Sequence, residues 1–252
     1  MFYPMPPHLT VAIYPGQPEE ECFSALCQLV EEFGCTPNGA IELAPWDASF
    51  EMRSDLAGRS LVIDAKPDQF ARTVAGEDSA GRAIRAQYHS KKMGLILVEY
   101  LAATKGDRHP VAISVSARGL GTPIELWRKA ERSSAIKLAQ CTTTLLREAT
   151  DRCSVLYGAV GVEFSLATPS ELIDGSASLP TEIFVDRDVI TSNRELAQYL
   201  SNAFHDGFIS EWPAGWFHSG WAPFNPENAT LNLDKALVRR TGIALGRATL
   251  YR

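Results

Sequence analysis

The chain has 252 residues, 45% of them hydrophobic and 21% charged, with a formal charge of −6. That composition belongs to a globular protein with enough chain to bury a substantial core, and it excludes collagen-like, disulfide-miniprotein and long disordered classes. No apolar run approaches the roughly 18 residues a membrane helix needs; the best stretch, Met93 to Ala103, is short and contains Glu99.

The N-terminal MFYPMPPHLTVAIY has no positively charged start and three early prolines, so it does not read as a secretory signal. His8 to Tyr14 reads as a strand closed by Pro15-Gly16-Gln17-Pro18. From Pro18 the residues Cys22, Leu26, Leu29, Val30 and Phe33 recur at helical spacing, with Pro18 suited to the first turn and Gly34 to the stop. Arg59 to Asp64, Gly94 to Leu101 and Val111 to Ala117 read as three further strands, rich in aliphatic and β-branched residues.

The second half carries three Ser/Thr-x-x-Glu helix starts, Thr122 to Glu125, Thr168 to Glu171 and Ser192 to Glu195. They predict a long helical region from Pro123 to about Arg152 with a break near Ser133, a short helix at Pro169 to Ile173, and a helix from Asn193 to about Phe204. Val155 to Phe164 and Glu182 to Val185 read as strands, and Leu233 to Arg247 as a final helix. Phe204 to Asn228 reads as an irregular, Trp-rich segment interrupted by Gly and Pro. There is no regular βαβ period or internal repeat, so the expected fold is α+β: a mixed, largely antiparallel sheet packed with helices. One domain over 1–252 is expected, with a possible subdivision near 105–110.

The charge is unevenly distributed. Residues 1–52 hold no Lys or Arg and eight acids, while all 24 basic residues lie beyond them with the other 22 acids. A negative segment can steer a basic protein partner; the competing reading is a solvated face whose acids complement a helix dipole. The near-balance of the remainder lacks the basic footprint that direct nucleic-acid binding needs. Candidate partner-binding residues are Glu19, Glu20, Glu21, Glu31 and Glu32 as an acidic face, and Trp212, Trp216 and Trp221 as aromatic anchors. The same tryptophans could equally form a packed corner of the core.

Other chemistry is thin. Cys22, Cys27, Cys35, Cys141 and Cys153 contain no C-x-x-C pair, which favours reduced structural thiols and a cytoplasmic setting. The five histidines lack metal-ligand spacing, and neither H-E-x-x-H nor G-x-S-x-G occurs. No cofactor or metal is expected. Asp186-Arg187-Asp188 reads as a polar turn at a strand end. Gly119, Gly121 and Thr122 sit between a strand and a helix start, an arrangement that can hold an anion such as phosphate or a nucleotide; this supports an alternative reading as an enzyme or ligand-binding protein.

The block from Tyr157 onward, YGAVGVEFSLATPSEL, LPTEIFVDRDVI and FHDGFISEWPAGWFHSGWAPFNPE, resembles immunity-type proteins of bacterial polymorphic toxin systems. The resemblance covers the C-terminal 100 residues and rests on texture and aromatic placement. It implies a cytoplasmic antidote, non-catalytic, that binds and neutralises a protein toxin. It transfers no individual binding residue, and the acidic segment lies outside it.

Overall fold

A computed structural model of the protein describes residues 3–77, 81–120, 128–205, 207–219 and 234–252. In chain order the elements are β1 (His8–Pro15), α1 (Glu19–Glu32), β2 (Thr36–Ala44), β3 (Leu61–Asp64), α2 (Pro67–Val74), β4 (Arg82–Ser90), β5 (Gly94–Tyr100) and β6 (Val111–Ser116). They continue with α3 (Lys129–Arg152), β7 (Val155–Val162), α4 (Pro169–Asp174), β8 (Glu182–Asp186), α5 (Arg187–Thr191), α6 (Arg194–Ala203), β9 (Phe208–Trp212), β10 (Gly215–Ser219) and α7 (Lys235–Thr249). The strands form one ten-stranded sheet in the order β3-β2-β4-β5-β6-β1-β7-β8-β10-β9. Every neighbouring pair is antiparallel, so the fold is α+β as the sequence predicts.

Strand alternation sends side chains to two layers. On β1, Leu9, Val11 and Ile13 join Cys22, Leu26 and Leu29 of α1 and Leu145 and Leu146 of α3 in one core. Ala12 and Tyr14 face the other way, into a second core with Leu172 of α4, Val189 of α5, Leu200 of α6 and Leu245 of α7. Tyr14 stacks on Tyr157 of β7 there, with centroids 5.0 Å apart. Each fully buried aliphatic side chain contributes about 1.5–3 kcal/mol. Gly158 of β7 lets α3 approach the sheet: a Cβ on it would lie 2.9 Å from Leu146 Cδ1 and 2.9 Å from the Ala12 carbonyl oxygen.

α1 starts one residue after Pro18, with Glu19, Glu20 and Glu21 in its first turn. α3 runs through Ser133 without the expected break, and its buried stripe of Ala135, Ala139, Thr142, Leu145 and Ala149 follows from there. The 121–127 part of that region, including the Thr122 to Glu125 helix start, lies outside the described residues. At α4, Glu171 accepts from the Thr168 N–H at 2.8 Å, as a capping box requires. At α6 the cap is Asn193, which accepts from Leu196 N–H at 3.0 Å; Ser192 instead ends α5, its hydroxyl donating to the Asp188 carbonyl. Asp186 is the N-cap of α5, accepting from Asp188 and Val189 N–H, so the Asp-Arg-Asp run closes a turn. The Trp-rich segment is also more regular than expected. Its residues 208–219 form the β9–β10 hairpin with a two-residue connection, while 220–233 lie outside the described residues.

Candidate functional site

The acids of the first 52 residues meet cations from elsewhere in the chain. Glu19 accepts from Arg82 at 2.7 Å and Glu20 from the same nitrogen at 3.1 Å. The other end of that guanidinium donates to the Ala48 carbonyl at 2.6 Å, and it lies 5.0 Å from the centroid of the Tyr100 ring. Glu19 also accepts from the His109 N–H at 2.6 Å. Burial pushes the His109 imidazole below its ordinary range. Its neutral form fits both ring contacts: Nδ1 is 2.8 Å from the Leu101 carbonyl, and Nε2 accepts from Phe50 N–H at 3.5 Å.

On the opposite face of the sheet, Glu42 of β2 pairs with Arg85 of β4 at 2.9 Å, and Glu99 of β5 with Arg85 at 3.0 Å and Arg53 at 2.7 Å. Glu32 pairs with Arg152 at the end of α3. Among the described residues, Glu21, Glu31, Asp47 and Glu51 are exposed with no cation at ion-pair distance. Half of the eight acids in that segment are thus paired in space, and the other four face outward.

The tryptophans separate. Trp212 is only 7% exposed and lies between Phe217 and Phe184, centroids 4.7 and 5.6 Å away. Trp216 is half-buried, with the Arg187 guanidinium 4.6 Å from its ring. Trp221 lies outside the described residues, as do Gly121 and Thr122. Gly119 sits in a 3-10 turn, Ala117–Leu120, where a Cβ would be 3.1 Å from Leu138.

A surface with no local sequence signal emerges between β2 and β3. Ten large apolar side chains are exposed among the described residues, and four of them fall within residues 46–62: Trp46 (47%), Met52 (63%), Leu61 (61%) and Val62 (56%). Leu61 and Val62 are consecutive on a strand and so project from opposite faces of the sheet, while Trp46 and Met52 belong to the segment that precedes it. The connecting segment is held from beneath. Asp55 accepts from Glu51 and Met52 N–H at 3.0 and 2.8 Å. Arg53 lies over Phe50, 5.1 Å from its centroid, and donates to the Tyr100 carbonyl at 2.9 Å. β3 itself is an edge strand, paired only with β2 through Leu43↔Leu61 to Ala40↔Asp64. An edge strand presents a free row of backbone donors and acceptors, and here Leu61, Val62 and Asp64 on it are exposed.

Two further groups stand out. His218 of β10 is 5% exposed with neither ring nitrogen hydrogen-bonded, and burial pushes it down to about 4. All five cysteines are free. Among the described residues no group of three or more His, Cys, Asp or Glu could hold a metal ion, and no helix is long and apolar enough to cross a membrane.

Neither a family model nor a curated protein matches the chain. Among solved structures, the chain is similar to one described as Pseudomonas aeruginosa T6SS protein PA0821, at 12% identity and a TM-score of 0.41, over 96% of this chain and 71% of that one.

Proposed function

We propose that the chain is a non-catalytic binding protein of the immunity type, which inhibits a protein toxin by docking it against the β3 edge. The observation that supports this reading is the open β3 edge, on which Leu61 and Val62 are 61% and 56% exposed, with Trp46 and Met52 exposed in the segment that precedes it. A partner strand can add to such an edge, with backbone hydrogen bonds supplying affinity and side chains such as Val62 supplying specificity. Trp46 and Met52 provide the kind of apolar anchor around which interface energy collects. The unpaired Glu21, Glu31, Asp47 and Glu51 favour approach by a basic partner and act mainly on the rate of encounter.

The test is capture from an extract of the source cells at low salt by the tagged chain and by its Val62→Lys variant. The purified captured protein is then titrated with each chain in an assay of its own activity. The reading predicts a stoichiometric basic protein whose activity falls as wild-type chain is added, and whose capture and inhibition both fail with Val62→Lys. Equal capture and inhibition by the variant would overturn the docking surface. A captured protein whose activity is unchanged by the chain would overturn the inhibitory role.

A further inference from the structure

A groove of about 430 Å³ lies between the loop that follows α4 and the first turns of α7. We propose that it binds a phosphomonoester of an apolar alcohol, with Lys235 and Arg239 holding the phosphoryl oxygens. The two cations are four residues apart on α7 and so share one face of the helix. Among the described residues neither makes an ion pair or a hydrogen bond. The nearest acids in sequence serve the backbone instead: Asp234 accepts from Ala236 N–H at 2.8 Å, and Asp174 from Ser176 N–H at 2.7 Å.

The Arg239 guanidinium lies against the backbone of Gly175. With φ at +74°, its backbone passes so close that a Cβ would fall 2.7 Å from Arg239 Nε and 2.9 Å from Nη2. The backbone conformation there is one that glycine favours. The planar fork of an arginine laid against a wall offers paired donors to a tetrahedral oxyanion, and the exposed Ser178 at the rim can add a hydroxyl. Leu179 and Val238, both buried, contribute an apolar lining. Two cations suit a group that is close to dianionic at neutral pH, and the apolar lining suits the carbon stem that carries it.

Calorimetric titration of the full chain with phenyl phosphate and with inorganic phosphate tests this. Saturable binding of phenyl phosphate is expected, with inorganic phosphate roughly tenfold weaker or more, a difference of about 1.4 kcal/mol. Lys235→Gln, Arg239→Gln and Gly175→Ala should each weaken phenyl phosphate binding by roughly tenfold, whereas Arg247→Gln, an exposed cation in the last turn of the same helix, should leave it unchanged. Unfolding midpoints without ligand identify any variant whose loss is one of folding. Absence of phenyl phosphate binding, equal binding by the three groove variants, or an equal loss in Arg247→Gln would overturn the site. Equal affinity for inorganic phosphate would overturn the assignment of the apolar stem.

Discussion

The two edges of the sheet are fastened by different forces. Near β3, the neighbouring strands are tied by buried charge: Arg85 bridges Glu42 and Glu99 across β2, β4 and β5, while Arg82 ties α1 to the segment at Ala48. At the other edge the β9–β10 hairpin is held by stacked rings, Trp212 between Phe217 and Phe184. Of the residues that look most like binding anchors in the sequence, Trp212 is committed to packing at this edge and Trp216 is half-buried, while Phe208 and Ile209 of β9 are exposed. At the other, Trp46, Met52, Leu61 and Val62 draw no attention as a string of letters and lie in the open. Aromatic density along a chain signals buried area to be filled; exposure is decided by which side chains the tertiary fold leaves over.

That contrast can be broken at either edge. Trp212→Ala removes the middle ring of a buried stack and should cost about 3–5 kcal/mol in urea unfolding, the range for large aromatic truncations in a core. Arg85→Ala should cost about 3 kcal/mol by leaving the buried Glu42 and Glu99 with Arg53, 3.9 and 2.7 Å away, in place of two cations. The two variants act at separate places and should add in the double mutant.

Acid should act through His218 of the hairpin. Its folded-state value of about 4 lies below the ordinary 6.5, so the unfolded chain takes up the proton first. Its contribution to stability is complete above pH 6.5 and is lost as pH falls toward 4, a decline of roughly 3 kcal/mol by linkage. The pH dependence of the unfolding free energy should flatten over that interval in His218→Leu. At the β3 edge, Val62→Lys should change stability by no more than about 0.5 kcal/mol, as for other exposed sites, while abolishing partner capture. Smallest of all, Glu21→Lys with Glu31→Lys should slow association and weaken its dependence on salt, with little change in dissociation rate.

Much of the fold was legible because local and global preferences agree. β1, β5, β6, β7 and β8 are aliphatic runs, and α1 and α4 carry their own start signals. β2 was not predicted, since Pro37 and Gly39 interrupt its strand pattern; in the sheet Gly39 takes φ +84° and the register with β4 shifts between Pro37 and Ile41. β4 was hidden by Arg82, Arg85 and Gln87, whose alternation with Ile84, Ala86 and Tyr88 looks weak until the arginines find their carboxylates. The site was less legible for the same reason. Counting charge along residues 1–52 could not reveal that Glu19, Glu20, Glu32 and Glu42 pair with arginines at positions 82, 152 and 85. Ion pairs between distant segments leave no periodic trace in sequence.

The most direct measurement is amide hydrogen exchange of the free chain and of its complex with the captured partner, comparing residues 61–64 with 208–211. Strand addition at β3 predicts that the partner slows exchange across 61–64 and around Trp46 and Met52, while β9 exchanges as in the free chain. Slowed exchange at 208–211 with β3 unchanged would contradict the account.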